Sequence, residues 1–465
     1  MSAPLMWVLF PIAVAILIYM LPDNKTAAIL FTGFSFFLAF LAIIIPPDLP
    51  LVLLGSSIKI SPTLVMFGRS FTLNSTDQPA LILAYTITGF WYLLGLFFDM
   101  PRRVLALAMI ITALMVASIS VQPFLYSAII IELASLVLIP AVVTDGSKTG
   151  RGALKFLISQ TLGMPFILLA GFLLSGVEAG PNDLAIVQQA MMMLSLGFGF
   201  YLAIFPFFSW APQLAEEIEP HLLAFILIIF SLFTTILGLE FIDRYAWLRN
   251  SLTLYPVLKL IGSITLITAS FWAAFERHVG RFFAYIMASA TGYSLLILSV
   301  GHTNEAVNLF LLTAIMNCVV LLALGVALNI FTNITSKTDL TEWVGIGRRS
   351  PILPALIILC LLSYTGLPLL AHFPSRMMMM EDLGTHDYTF WVILASMAAL
   401  LVTTYRLASI FFSLDTSHSY PLPNSSENKW FGIITIGLII VLGIFPSVIP
   451  SFLYNIADNL PNLVR

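Results

Sequence analysis

Residues 196–220 read LGFGFYLAIFPFFSWAPQLAEEIEP. The opening part is apolar enough to sit in lipid, yet Pro206 stands within it and a polar stretch follows at once. A proline inside a helix removes a backbone hydrogen bond and crowds the preceding turn. Hydrocarbon offers the freed carbonyls no water, so such a break survives only where protein or a wet cavity receives it. A second stretch of the same character, TGLPLLAHFPSR at 365–376, carries Gly366 and Pro368.

Everything around these stretches is apolar. Of 465 residues, 60% are hydrophobic and 9% charged, and the mean hydropathy is +1.01, which excludes the charged surface of a water-soluble protein. The fold class expected is an all-α polytopic membrane protein. With a net charge of −3 and no block of like charges, neither nucleic-acid binding nor a polybasic lipid-binding tail is indicated. Cys318 and Cys360 lie inside apolar runs and read as small buried hydrophobes rather than a disulfide or a metal site. The run Leu5 to Leu21 lacks a positive leader and a cleavage site, so it reads as a retained first span.

A helix needs about twenty mostly apolar residues to cross the hydrocarbon core. That ruler places fourteen spans near 5–22, 26–45, 79–98, 103–122, 123–143, 154–176, 187–209, 221–240, 252–275, 281–300, 306–332, 351–371, 388–413 and 431–455. The stretch 46–78 alternates as SSIKISPTLVMFGRSFTLNSTD and predicts an extended hairpin on the membrane surface. Lys and Arg are retained on the cytoplasmic side. With the N-terminus outside, twelve of them, among them Lys25, Lys148, Arg281 and Lys429, fall inside, against seven outside, among them Lys59, Arg244 and Arg465. Both termini are therefore expected outside, in a bacterial inner membrane or an equivalent energy-transducing membrane.

The two breaks fall in the seventh and twelfth spans, five apart. Paired interrupted helices at matching places point to an inverted repeat lining a transport path. Spans 4–8 and 9–13 would form two five-helix repeats, each with one broken helix. The division expected is a two-helix segment and hairpin over 1–78, a first half over 79–240, a second repeat over 252–413 and a terminal helix over 414–465.

Several stretches then become specific: GFGFYLAIFPFFSWAP at 197–212, FERHVGRFFAYIMASATGYS at 275–294, TEWVGIGRRSP at 341–351 and TGLPLLAHFPSR at 365–376. In order and spacing the chain resembles the antiporter-like membrane subunits of respiratory complex I (NADH:quinone oxidoreductase), which are similar to the large subunits of Mrp-type cation/proton antiporters and to subunits of membrane-bound hydrogenases. The resemblance implies fourteen helices, two inverted repeats with a proline-broken helix in each, and half-channels joined at mid-membrane by charged and polar side chains. It implies other membrane subunits as partners in a multi-subunit complex, and protons or Na+ as the ion.

Residue by residue, the glutamate of the fifth helix is present as Glu132, and Lys155 matches a basic residue common at the start of the sixth. Elsewhere the sequence departs from the pattern. Tyr201 stands where the seventh helix normally bears lysine, Ile229 and Ala290 stand at usually ionisable positions, and Thr313 and Asn317 replace basic residues of the eleventh helix. Arg376 follows the second break where relatives have lysine or glutamate, but a guanidinium stays protonated and does not readily shuttle a proton.

The candidate ion path is thus Glu132, Lys155, Tyr201, His372 and Arg376, with Pro206, Gly366 and Pro368 at the broken helices. A mid-span carboxyl is costly, so Glu132 reads either as a titrating group or as a protonated, hydrogen-bonded structural one. Lys155 can snorkel to water. Tyr201 is at most a hydrogen-bond link, and His372 either relays protons or makes a structural bond. Glu216, Glu217 and Glu219 with His221 read as a solvated acidic loop or a cation-attracting vestibule; Glu276, Arg277, His278 and Arg281 read as a cytoplasmic anchor, and Arg406 as a basic residue reaching the interface. The sequence has no phosphate-cradling loop, CxxC pair or catalytic triad, so no catalytic site, metal or redox cofactor is expected. Three functions remain open: a proton-translocating module of a complex I-like assembly, a structural subunit of such an assembly that has lost translocation, or the membrane partner of a cation/proton antiporter or carbonate-handling complex.

Overall fold

The computed structural model describes residues 2–45, 47, 51–53, 56–58, 60–143, 150–177, 184–300, 304–414 and 426–448. Lys59, Lys148 and Arg465, used above for orientation, and the end of the last predicted span lie outside them. A helix lies on each predicted span. Ten are long and apolar enough to cross a membrane, and Leu5–Tyr19, Ala185–Tyr201 and Ile352–Tyr364 are shorter apolar helices. The remaining one, Gln78–Gly95, has Pro79 in its first turn, where a missing N–H costs nothing. The chain is an integral multi-pass membrane protein.

By contacts the described chain divides into two units: residues up to Leu202 with Ile229–Asn250, and Ala203–Ile228 with the described residues from Ser251 to Val448. The helix Pro220–Arg244 therefore contributes its start to the second unit and its remainder to the first.

The first unit is built around Arg102–Ser120, of whose apolar window 83% is buried. Ala106, Ala113, Ala117 and Ser118 let neighbouring helices approach its backbone closely, the usual basis of packing where lipid is as apolar as leucine. Its polar groups are matched internally: Tyr92 donates to the Leu105 carbonyl at 2.7 Å, and the hydroxyls of Thr88 and Thr112 meet at 3.0 Å. Asn24–Ile44, by contrast, turns Ile29, Phe37 and Phe40 outward, as a helix facing lipid or another subunit does.

The alternating stretch after this helix does form strands. Leu51–Leu53 pairs antiparallel with Ser56–Ile58, and Thr63–Met66 with Arg69–Thr72 around Phe67 and Gly68, both at positive φ as a two-residue hairpin turn requires. Arg69–Thr72 also pairs with Val121–Gln122, the short extended piece between the fourth and fifth predicted spans. Ser2 bridges to Ser61, so the N-terminus lies at the same end of the helices as this hairpin.

The second unit is centred on Val279–Ser299 and Glu305–Thr335, whose apolar windows are 89% and 83% buried. Leu254–Phe275 and Tyr388–Phe411 pack outside them and keep exposed apolar faces, among them Phe271, Trp391 and Leu401.

Candidate functional site

In the first unit the helix Leu184–Tyr201 stops five residues before Pro206. Tyr201 is 2% exposed, and its hydroxyl donates to the Ala128 carbonyl at 3.3 Å. Ala128 lies one turn before Glu132 on the same helix face. The ring occupies a slot that exists because residue 163 is glycine: a Cβ there would lie 2.4 Å from Tyr201 Cε1. Glu132 itself is half-buried, and its Oε2 is shielded without a hydrogen-bond partner among the described residues. Gln160 is fully buried, and neither end of its amide is hydrogen-bonded to a described residue. Lys155 is not drawn into this group. It lies exposed on the outer side of Arg151–Val177.

In the second unit the chain past Tyr201 turns through Ala203, at φ +52, to Pro206 and a short helix Trp210–Leu214. The Phe205 N–H donates to Thr265 Oγ1 at 3.0 Å, while that hydroxyl donates to the Ile261 carbonyl at 2.7 Å, so one threonine receives the broken backbone.

The other break is more heavily furnished. Ile352–Tyr364 ends, Gly366 takes φ +70, and after Pro368 the chain re-enters a helix at Phe373–Leu383. Only glycine suits position 366 on two counts, because the left-handed backbone disfavours a side chain and a Cβ would meet Arg376 Cγ at 2.9 Å. His372 is 1% exposed and bonded at both ring nitrogens: Nδ1 meets Ser363 Oγ at 2.9 Å and Nε2 meets Asn317 Oδ1 at 3.0 Å. A carbonyl oxygen only accepts, so Nε2 carries the proton and Nδ1 accepts from the serine hydroxyl. The ring also stacks on Tyr364 with centroids 4.4 Å apart.

One turn on, Arg376 is 2% exposed with its guanidinium 3.7 Å above the centre of the Tyr293 ring, a cation–π contact. The Tyr293 hydroxyl donates to the Ser375 carbonyl at 2.9 Å. Arg376 Nε and Nη1 have no hydrogen-bond partner, and no carboxylate pairs with the guanidinium among the described residues. His372, Ser363, Asn317 and Tyr293 are thus matched, while among the described residues the Tyr364 hydroxyl and the cation are not.

Positions at which the sequence departs from the family pattern are apolar in space as well. Ile229 is fully buried and Ala290 is 2% exposed, and Thr313 spends its hydroxyl on the Leu309 carbonyl of its own helix at 2.7 Å. Asn317, recorded in the sequence only as a departure, proves to be a direct partner of His372. Ser363 and Tyr293 carried no signal, since each is an ordinary residue in an apolar run until packing sets it beside another polar group.

Toward the other end of the second unit, Arg281 bridges Glu216 at 3.0 Å and Glu276 at 3.1 Å, and Arg406 donates to the Glu276 carbonyl. Glu219 accepts from Asn329 at 3.4 Å, so Glu216 and Glu219 are both tied down. His278 sits half-buried beside this cluster; burial pushes its imidazole below the usual value, against the pull of Glu216.

Solved structures share this architecture over nearly the whole chain. A chain of the membrane-bound sulfane sulfur reductase, an archaeal respiratory membrane complex, superposes with a TM-score of 0.76 at 17% identity, covering 100% of this chain and 98% of that one. A chain of respiratory complex I from Thermus thermophilus gives 0.75 at 17% identity, covering 99% of each. One from the Mrp complex of Dietzia gives 0.69 at 14% identity, covering 99% and 97%. At such identities the likeness is one of fold. Among sequences, NADH-quinone oxidoreductase subunit N of Flavobacterium johnsoniae is 26% identical over 351 residues, covering 70% of this chain and 74% of that protein. Subunit N 2 of Acidobacterium capsulatum is 25% identical over 417 residues, covering 82% of each. Residues 123–403, which hold both breaks, Glu132 and the His372 network, match the NADH:quinone oxidoreductase/Mrp antiporter transmembrane family, and the chain belongs to it.

Proposed function

We propose that the chain is an antiporter-like membrane subunit of a complex I-like or Mrp-like assembly, and that Glu132, Lys155, Tyr201, His372 and Arg376 lie on its ion path, with protons as the ion. The single observation that carries this reading is Glu132: a carboxyl within an apolar helix, one oxygen shielded and unbonded, beside the Tyr201 phenol. A carboxyl kept for structure alone is expected to have its oxygens satisfied, because an unmet polar atom at that depth costs about 1–3 kcal/mol. His372 supports the reading from the other half. In its neutral form it accepts from Ser363, and a proton gained at Nδ1 requires only that the serine hydroxyl rotate and accept instead. Lys155, exposed in this chain, is placed to meet a neighbouring subunit. The two breaks, Pro206 and Gly366–Pro368, are read as matching elements of two inverted repeats, and both termini as facing outside.

The test is Glu132→Gln in the complete complex, reconstituted in vesicles, with proton uptake followed by a pH-sensitive dye. The reading expects an assembled complex whose uptake falls; unchanged uptake overturns it. A second reading, a structural subunit that holds its neighbours in register without conducting, is favoured by the buried apolar Ile229 and Ala290. It expects Glu132→Gln to change nothing, while removal of the chain disperses the other membrane subunits on a native gel.

A further inference from the structure

At the hairpin-bearing end of the first unit lies a cavity of about 180 Å³ whose lining includes none of the ion-path residues. Thr72 and Asn74 come from the hairpin exit, Asp77 from the start of Gln78–Gly95, Gln122 from the extended piece, and Glu240 and Arg244 from the end of Pro220–Arg244. Its floor is apolar, with Ile119, Ile236 and Leu239 all under 5% exposed. Its rim is polar, for Asn74, Thr76 and Arg244 are exposed. A polar-rimmed space of this size holds on the order of several waters.

The two carboxyls that line it stand in unlike surroundings. Asp77 belongs to a reciprocal cap with Asn74: its Oδ2 accepts the Asn74 N–H at 2.9 Å, and the Asn74 side chain accepts the Asp77 N–H in return. A carboxylate used this way is held in its charged form. Glu240 has no hydrogen bond or ion pair among the described residues, though Asp77 and Arg244 line the same cavity. Arg244, one turn on and placed to pair with it, donates instead to Gln122 Oε1 at 3.2 Å and lies toward the Phe124 ring. Two neighbouring carboxyls whose surroundings differ divide the roles of fixed anion and proton holder between them.

We propose that Glu240 is a proton-exchange site opening on this cavity, with Asp77 as the fixed anion beside it. The step is one proton transfer: an O–H bond forms at the Glu240 carboxylate as one breaks in a hydronium ion of the cavity, and the reverse releases it. Arg244 sets how readily the proton leaves, because a fixed guanidinium at the rim stabilises the deprotonated carboxylate. The cavity lies at the end that carries the N-terminus, and the inference rests on the proposed ion-conducting role only in treating that end as outside and the site as a terminus of a path.

Infrared difference spectroscopy on the purified complex in lipid, titrated with pH in H2O and D2O, tests the site without reference to transport. The wild type is expected to show a protonated-carboxyl carbonyl band that titrates and shifts in D2O; Glu240→Gln removes this band and Glu132→Gln keeps it. Arg244→Gln, by removing a positive charge, moves the titration midpoint to higher pH. Glu240→Asp, which retains a carboxyl if the amide variant fails to fold, shifts the band without removing it. A spectrum unchanged in both Glu240→Gln and Glu240→Asp overturns the site. A midpoint that falls as Na+ replaces choline also overturns it, in favour of a metal-cation site. Because the band is read without turnover, loss of the transport reading through Glu132→Gln leaves this result standing, and the reverse holds.

Discussion

The polar groups around Glu132 and those around His372 answer the same difficulty, polar atoms at membrane depth, in different ways. Around His372 most neutral groups have a counterpart: Ser363, the imidazole and Asn317 form a chain, and Tyr293 closes on the Ser375 carbonyl. The atoms left unmatched there among the described residues are the hydroxyl of Tyr364, whose ring stacks on the imidazole, and the guanidinium of Arg376, a permanent cation. At Glu132 one carboxyl oxygen is unmatched and Tyr201 makes a single long bond, and Gln160, on the helix that gives Gly163 to the Tyr201 slot, has an unmatched amide. A network that satisfies itself is rigid and specific, whereas one with spare donors and acceptors can pass a proton on. Both sides therefore keep spare polar atoms, and the Arg376 side adds a fixed positive charge against an aromatic face.

The sharpest way to break that contrast is at Arg376. A buried cation without an anionic partner is costly, and replacing such a group by an apolar chain of similar volume stabilises by about 1–4 kcal/mol. Arg376→Met is expected to raise the thermal unfolding temperature in lipid nanodiscs; a fall would mean that the guanidinium is anchored by something beyond Tyr293. Next comes the slot for Tyr201. Gly163→Ala drives a methyl into the ring and is expected to cost about 1–3 kcal/mol, the usual range for overpacking. If Gly163→Ala combined with Tyr201→Leu is no more stable than Gly163→Ala alone, the slot has been misread.

Smaller effects separate the two networks themselves. Asn317→Leu strands the Nε2–H of His372 and is expected to cost about 1–3 kcal/mol, whereas Tyr201→Phe gives up only a long hydrogen bond, about 0.5–1.5 kcal/mol. Equal losses by chemical denaturation would erase the distinction between a matched and an open site. The smallest concerns His278, whose imidazole is pushed down from 6.5 mainly by burial. The folded state then binds the proton less readily than the unfolded one, so stability is full above about pH 6.5 and declines as pH falls below it. His278→Asn should flatten that slope in a thermal melt series, and an unchanged slope would remove the histidine from the account.

Much of the framework was legible before any coordinate. Apolar run length located the helices, since a chain crossing lipid must satisfy its backbone within each segment, and alternation in TLVMFGRSFT announced strands because side chains switch faces at every residue. Glu132 stood out because a carboxyl in hydrocarbon is conspicuous wherever it lies. The same logic gave less for uncharged groups. Asn317 was visible only as a departure from a pattern, and Gln160, Ser363 and Tyr293 were not visible at all.

Glu240 was hidden for a related reason. It sits near the end of its span, where a charged residue near water calls for no comment, and the Asp77 and Gln122 that give it meaning lie more than a hundred residues away. Hydropathy is a property of one segment against one solvent, so composition alone settled that this chain lives in a membrane and where it crosses. Pairing is a property of distance between segments. Which polar groups meet a partner, which stay open, and which glycine makes room for which ring were decided only when the helices packed.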